Sequence, residues 1–313
     1  MPDIITITFN PCIDKSTTVS ALKADRKLRC TSPVFEPGGG GINVARAIKK
    51  IGGEAIAIYP SGGYSGKFLN FLLEEENLSV LTVETKHHTR ENMIVLDKAT
   101  NQQYRFDMPG PDLFKKEWQE CLYKLQENDS EFIVASGSLP PGVPPDIFAR
   151  ISKMAKKAKR KLIVDSTEEA LKPALEEGVY MIKPNIRELS GLLGKKELQV
   201  NEIKPAAKDL INSGKCEIVV VSLGPLGAML VSKKDVFKIA APAVKIKSTV
   251  GAGDSMVAGI VFYISKGKNL YEAFQYGIAC GTAATLNNGT GLCKKKDVER
   301  LFDQIKKEET DLQ

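Results

Sequence analysis

Short apolar runs alternate with longer helical patterns along this chain, and that alternation predicts an α/β protein built on a central, mostly parallel sheet flanked by helices on both faces. Three observations carry the prediction. Apolar runs of strand length recur at Ile4–Phe9, Ala55–Tyr59, Phe132–Ser136, Lys161–Val164, Met181–Lys183 and Ile218–Ser222. Small or polar residues (Asn10, Ser136, Asp165, Asn185 and Gly224) stand at or just beyond their carboxyl ends, where such sheets gather ligands. Two segments, about 14–35 and about 86–108, hold β-branched and alternating stretches with no long helix between them, which predicts a small antiparallel β-sheet lid projecting from the main body. A sheet of that size cannot bury two faces alone, so it covers a site, pairs with a second subunit, or does both.

In chain order, the first run alternates like a strand, and the residues before it carry an acid and no basic segment, unlike a secretory signal. Asp14, near the end of that region, suits hydrogen bonds from sugar hydroxyls. Lys27 and Arg29 alternate in the first lid segment and Arg90 sits in the second; guanidinium groups grip phosphate through paired donors. Between them lies Glu36-Pro-Gly-Gly-Gly-Gly-Ile-Asn43, leading into the helical pattern Ile42, Val44, Ala45 and Ile48. Four consecutive glycines are conformationally costly, so they mark either a close approach of ligand to backbone or a flexible turn before the helix. Asn43, in the first turn, can donate to and accept from a sugar.

Further along, Lys183-Pro-Asn185-Ile-Arg-Glu188 follows a strand and opens the helical face of Leu189, Leu192 and Leu193. An amide and a carboxylate three residues apart share one helical side, which suits holding water around Mg²⁺ or a nucleotide phosphate; the same pair also reads as a capping box. Ser222-Leu-Gly224-Pro-Leu-Gly227 follows the last apolar run and either lies along a nucleotide or turns the chain. The richest stretch is Ser248-Thr-Val-Gly251-Ala252-Gly253-Asp254-Ser255, after which Met256, Val257, Ile260, Val261 and Ile264 recur at helical spacing. N–H groups at such a helix start have no intrahelical partner, and glycines there let an anion approach. This pattern reads either as an anion hole with a general base beside it or as a tight turn with a dipole-complementing acid.

Composition narrows the function classes. With 42% hydrophobic and 26% charged residues the chain is globular, not disordered. The net charge of +6 is modest, and Lys153, Lys156, Lys157, Lys159 and Lys161 read as a solvated helix face, with no basic groove to suggest nucleic acid. No apolar run approaches the length of a membrane span. Six scattered cysteines without a C-x-x-C pair predict free thiols in a reducing cytoplasm, and the adjacent His87 and His88 read as a loop pair. The polar Lys306–Gln313 tail is expected to fray.

Taken together, Gly-Gly-Gly-Gly-Ile-Asn43, Asn185-x-x-Glu188, Ser222-Leu-Gly224-x-x-Gly227 and Gly251-Ala-Gly-Asp254 stand in an order that resembles the PfkB family of ribokinase-like carbohydrate kinases, across essentially the whole chain. Pro33-Val-Phe-Glu-Pro-Gly-Gly-Gly-Gly-Ile, Ser136-Gly-Ser-Leu-Pro-Pro-Gly and Val220-Val-Ser-Leu-Gly-Pro most resemble the branch that phosphorylates fructose 6-phosphate. Tagatose-6-phosphate and fructose-1-phosphate kinases usually carry Gly-Gly-Lys-Gly where this chain has Gly38-Gly-Gly-Gly41. The resemblance implies one ribokinase-like domain over residues 1–313, with the lid inserted in it, and transfer of the ATP γ-phosphoryl to the C1 hydroxyl of fructose 6-phosphate. It assigns the base to Asp254 and the anion hole to Gly251, Ala252 and Gly253. The sugar falls to Asp14, Gly39, Gly40 and Asn43, and its phosphate to Lys27, Arg29, Arg90 and Ser138. Mg²⁺ and the ATP phosphates fall to Asn185 and Glu188, and the nucleotide to Lys183, Ser222, Gly224 and Gly227. Ser248, Val250, Ala284, Asn287, Gly289 and Gly291 match the positions for a monovalent cation, K⁺. Gly291 departs from the pattern, since that branch has an arginine there. The expected assembly is a cytoplasmic homodimer paired through the lids. Tagatose-6-phosphate kinase and 1-phosphofructokinase activity are the neighbouring alternatives, and a non-catalytic nucleotide sensor on the same fold is the distant one.

Overall fold

The computed structural model describes residues 2–310. The chain opens with β1 (Ile4–Ile7), β2 (Cys12–Val19), β3 (Val34–Gly38), α1 (Gly40–Lys50), β4 (Ile56–Gly62), α2 (Gly63–Glu75), β5 (Ser79–Thr85), β6 (Arg90–Asp97) and β7 (Gln102–Phe106). The middle adds α3 (Lys115–Gln126), β8 (Phe132–Ser136), α4 (Ile147–Lys157), β9 (Lys161–Asp165), α5 (Glu168–Glu177), β10 (Val179–Ile182), α6 (Ile186–Leu192), α7 (Val200–Asn212) and β11 (Cys216–Ser222). The chain then runs through β12 (Ala228–Ser232), β13 (Val236–Ile239), α8 (Ala252–Ser265), α9 (Leu270–Ala284) and α10 (Lys295–Thr310). The tail through Thr310 is therefore helical, and the last three residues of the expected fray lie outside the described residues.

Nine strands form the main sheet in the order β13-β12-β11-β10-β9-β8-β1-β4-β5. All pairings from β5 to β11 are parallel, and β12 and β13 add an antiparallel edge. Because strand side chains alternate faces, neighbours in sequence enter different cores. Ile4, Phe132, Val134, Ile218 and Val220 pack with α1, α8, α9 and α10, whereas Ile5, Ile133, Ala135, Val219 and Val221 pack with α3, α4, α5 and α7. Each expected run of the main sheet lies in a strand, with ends shifted by a few residues. Three strands carried no clear signal. β5 mixes polar and apolar residues and is only partly buried, and β12 and β13 are short runs on either side of a Lys233-Lys234 turn.

A second, four-stranded sheet has the order β3-β2-β6-β7 and coincides with the two irregular segments. It is not wholly antiparallel. β2 and β6 pair in parallel from Cys12↔Arg90 to Val19↔Asp97, because α1, β4, α2 and β5 intervene and supply the long crossover that parallel pairing requires. This register sets Asp14 directly beside Asn92.

Candidate functional site

The site assembles where β1, β8, β9 and β10 end, beneath the four-stranded sheet and facing the start of α8. Gly251 caps α8 in the left-handed conformation (φ 70°) and no side chain closes the cap. A side chain at Gly251 would collide with Leu292, its Cβ 2.5 Å from Cδ2. Ala252 N–H leans back on the Thr249 carbonyl at 3.4 Å, and the remaining first-turn N–H groups have no cap to receive them. A Cβ at Gly253 would stand 3.1 Å from Lys183 Nζ, so this glycine leaves room for the lysine to lie against the turn.

Asp254 sits in that first turn, and its Oδ2 accepts a hydrogen bond from Asn43 Nδ2 at 2.9 Å, joining two residues far apart in sequence. Burial, aided by the nearby Asp165 carboxylate and by Asp14, pushes the Asp254 carboxyl up to about 6 against the opposing effects of Asn43 and Lys183. Lys183 is buried, with Nζ 3.4 Å from Asp165 Oδ2. Its burial disfavours the ammonium, but Asp165, Asp254 and Glu188 outweigh that and hold it above the ordinary lysine range. Asp165 was visible in the sequence only as a strand-end acid; its pairing with Lys183 makes it part of the site.

The glycine-rich loop before Asn43 is shaped by the protein's own packing as well as by access. Gly39 takes φ 113°, open to few residues, while side chains at Gly40 and Gly41 would run into Ser136 and Gly137 and into Thr8 and the Ile7 carbonyl. Close approach to a ligand is thus only part of the reason for four glycines. Ile42 N–H donates to Thr8 Oγ1 at 3.0 Å and ties the start of α1 to the end of β1.

On the lid, Asn92 Nδ2 donates to Asp14 Oδ1 at 3.1 Å. Arg90 donates from Nη1 to the Met108 carbonyl at 2.9 Å and from Nη2 to the Asn10 carbonyl at 3.2 Å, and its buried Nε has no partner. Asn10 Nδ2 in turn donates to Ser138 Oγ at 3.0 Å, so Arg90 and Ser138 share one anchor. Neither Asn10 nor Asn92 stood out in the sequence as a site residue; only the strand-end position of Asn10 hinted at it. Lys27 and Arg29 are not brought in: both are exposed on the loop between β2 and β3.

The Asn185–Glu188 pair forms a complete capping box on α6: Glu188 N–H donates to Asn185 Oδ1 at 2.9 Å and Asn185 N–H to Glu188 Oε2 at 2.8 Å. Asn185 also bridges to Ser222 across the sheet end, next to the Gly224–Leu226 turn that Gly227 closes. At the last group of positions, Ser248 Oγ donates to the Gly289 carbonyl at 3.0 Å and accepts from Val250 N–H at 3.2 Å. Asn287 donates to the Leu292 carbonyl at 2.8 Å, and its N–H to that of Ala284 at 3.1 Å. Gly291 lies against Asn287, where a Cβ would sit 3.0 Å from Asn287 Cβ. Glu36 Oε2 accepts from Thr290 N–H at 2.9 Å, linking β3 to this loop. A separate cavity of about 540 Å³, lined by Arg160, Tyr180 and Lys234 among others, opens at the opposite ends of the strands and shares none of these groups.

An uncapped helix start, a partly desolvated carboxylate and a buried ammonium facing one another suit phosphoryl transfer to a hydroxyl. The family model described as "pfkB family carbohydrate kinase" matches residues 5–297. The chain belongs to the pfkB family of carbohydrate kinases. Among pfkB relatives, it is 45% identical to the ATP-dependent 6-phosphofructokinase isozyme 2 of Escherichia coli (strain K12), covering 96% of this chain and 98% of that protein. It is 31% identical to the 1-phosphofructokinase of Bacillus subtilis (strain 168), covering 97% and 98% respectively. Phosphofructokinase-2 from Escherichia coli in complex with fructose-6-phosphate superposes with a TM-score of 0.91 at 42% identity, covering 98% of this chain and 100% of that one. Its potassium complex gives a TM-score of 0.94 at 44% identity, and a tetrameric inhibited form gives 0.92 at 43%, each over 98% of this chain and 100% of that one.

Proposed function

We propose that this pfkB kinase is an ATP-dependent 6-phosphofructokinase, which transfers the ATP γ-phosphoryl to the C1 hydroxyl of fructose 6-phosphate and yields fructose 1,6-bisphosphate and ADP. The observation that carries the reading is the Asn43–Asp254 hydrogen bond, which joins the glycine-loop side of the site to the uncapped start of α8. In this reading, Asp254 Oδ1 receives the C1 hydroxyl proton late in the transfer. The N–H groups of Gly251, Ala252 and Gly253, with Lys183, meet the charge of the transferring group, and positioning and charge stabilisation supply most of the rate. Asp14, Gly39, Gly40 and Asn43 hold the sugar, and Arg90, with its free Nε, and Ser138 hold the 6-phosphate. Ser222, Gly224 and Gly227 line the nucleotide.

Glu188 spends only Oε2 on its cap, so its other oxygen, with Asp165, fits an outer shell of water around Mg²⁺ bound to ATP. When bound, that ion would neutralise phosphate charge. The Ser248, Val250, Ala284, Asn287, Gly289 and Gly291 set offers hydroxyl and carbonyl oxygens, and the buried Thr290 Oγ1 beside it has no partner, a donor set suited to K⁺. A potassium complex of the Escherichia coli relative supports that assignment.

The chain reads as one kinase domain whose four-stranded sheet is the lid. Val34, Met93, Tyr104 and Phe106 leave this sheet with exposed apolar area, and β3 and β7 are free edges, so the lids of two subunits would cover each other in a homodimer. The tetrameric form of the Escherichia coli relative makes higher assembly a further outcome, and sedimentation at micromolar concentration separates monomer, dimer and tetramer. The deciding experiment for the reaction is a panel of fructose 6-phosphate, fructose 1-phosphate and tagatose 6-phosphate with the product position read by phosphorus NMR. Preferred turnover of fructose 6-phosphate at C1 is expected; preference for another sugar moves the assignment to that kinase, and no turnover favours a nucleotide-binding sensor.

A further inference from the structure

Arg46 is among the largest fully buried side chains of the protein at 2% exposure, and it belongs to neither the sugar nor the nucleotide subsite. It stands one turn after Asn43 on α1, on the same helical side. Its guanidinium grips Glu76 at the end of α2 with both branches of the fork, Nε to Oε2 at 2.8 Å and Nη2 to Oε1 at 2.6 Å. The third nitrogen, Nη1, points toward the site: it donates to the Pro37 carbonyl at 2.7 Å, just before the four glycines, and to Asn43 Oδ1 at a longer 3.4 Å.

That arrangement permits one orientation of the Asn43 amide. A guanidinium has only donors, so Oδ1 must face Arg46 and Nδ2 must face Asp254, as the 2.9 Å bond records. A flipped amide would set its NH₂ against the guanidinium and its oxygen against the carboxylate. We propose that the ion pair of the buried Arg46 with Glu76 is a positioning device for the reaction: through Asn43 it fixes the carboxylate of Asp254. The pair touches no substrate. It acts through residues that do, and the inference rests on the reading of Asp254 as the base.

A merely structural ion pair would behave differently. Removing one partner strands a buried charge and destabilises the fold, whereas replacing both by neutral side chains of similar size relieves that penalty. The double variant Arg46→Met/Glu76→Gln is therefore expected to melt above Glu76→Gln alone, which strands the buried arginine, while its kcat stays about 10- to 100-fold below the parent, the scale of a displaced catalytic group. KM for ATP should move less than about twofold, because the nucleotide groups lie on other elements. The decisive measurement repeats the double substitution in an Asn43→Ala background. If Arg46 acts through Asn43, the further loss of kcat there shrinks to less than about threefold. The same fold loss in both backgrounds, or recovery of kcat together with stability, overturns the proposal. Should the double variant not fold, Arg46→Lys, which keeps the charge and loses the fork, enters the same cycle with the same expected and overturning results. Parent turnover and Asp254→Asn are measured alongside: an inactive parent or a fully active Asp254→Asn defeats the assignment of the base, whereas a normal base with an additive cycle defeats only the role of Arg46.

Discussion

Two helix starts border the site and are finished in opposite ways. At α6, Asn185 and Glu188 close the cap on each other, and the helix end satisfies itself. At α8, Gly251 sits in a left-handed turn with no side-chain cap, so its positive end stays open. The difference separates a helix start that satisfies its own donors from one that keeps them free. The α6 cap fixes Asn185 and Glu188 on each other, while the α8 start leaves N–H groups without a side-chain partner.

The comparison is tested most strongly at Asp254. Asp254→Asn should lower kcat by roughly 10²- to 10⁴-fold, the usual value of a general base. In the parent, kcat/KM should fall about tenfold per pH unit below about 6, because the carboxyl pushed up to about 6 must be ionised to act. The same shift makes a stability prediction of defined sign. A carboxyl whose folded value lies above its ordinary 3.8 costs stability once the pH passes about 6, and the cost fades as the pH falls toward 3.8. Asp254→Asn should accordingly melt above the parent at pH 7 and lose that advantage near pH 4, which calorimetry at the two pH values would reveal.

A second test fills the open helix start. Gly251→Ala meets both the left-handed backbone and Leu292, and the displaced N–H groups should cost roughly 10²-fold in kcat, with less change in the KM for fructose 6-phosphate. Unaltered kcat would mean that α8 is only a tight turn. Smaller again, Arg90→Ala should raise the KM for fructose 6-phosphate about 10- to 100-fold, as expected for losing charged hydrogen bonds, and leave the KM for ATP within about twofold. Equal effects on both substrates would remove Arg90 from the phosphate site. The smallest effect is expected at α6. Glu188→Gln keeps an acceptor for the cap and removes the charge, so Tm should hold within about 2 °C while the Mg²⁺ concentration for half-maximal rate rises about threefold or more. A fall in Tm with no change in the Mg²⁺ requirement would make the pair a cap and nothing else.

Much of the site was legible because its motifs are local. Helix starts announce themselves through glycines, an acid and the apolar pattern that follows, and the turns at Gly251–Asp254 and Asn185–Glu188 needed no tertiary information to be found. The same locality hid what those turns were for. The capping box at α6 and the open cap at α8 differ in hydrogen bonds that spacing alone leaves ambiguous. Asn92 escaped notice, and Asn10 and Asp165 showed only as strand-end residues, because each gains its role from a partner distant in sequence: Asp14 for Asn92, Ser138 and Arg90 for Asn10, and Lys183 for Asp165. Lys27 and Arg29, singled out by their charge, are exposed on the loop between β2 and β3.

By itself, the sequence determined the α/β alternation, the place of the lid and the two helix starts, because these depend on side-chain period and backbone conformation over a few residues. Tertiary structure alone decided the parallel pairing of β2 with β6, the contact of Asn43 with Asp254 and the path from Glu76 through the buried Arg46 to that contact. Each joins residues separated by at least one whole element or buries a charge beside its partner. Such interactions are set by where the chain returns and what it excludes from water, and no local pattern encodes that.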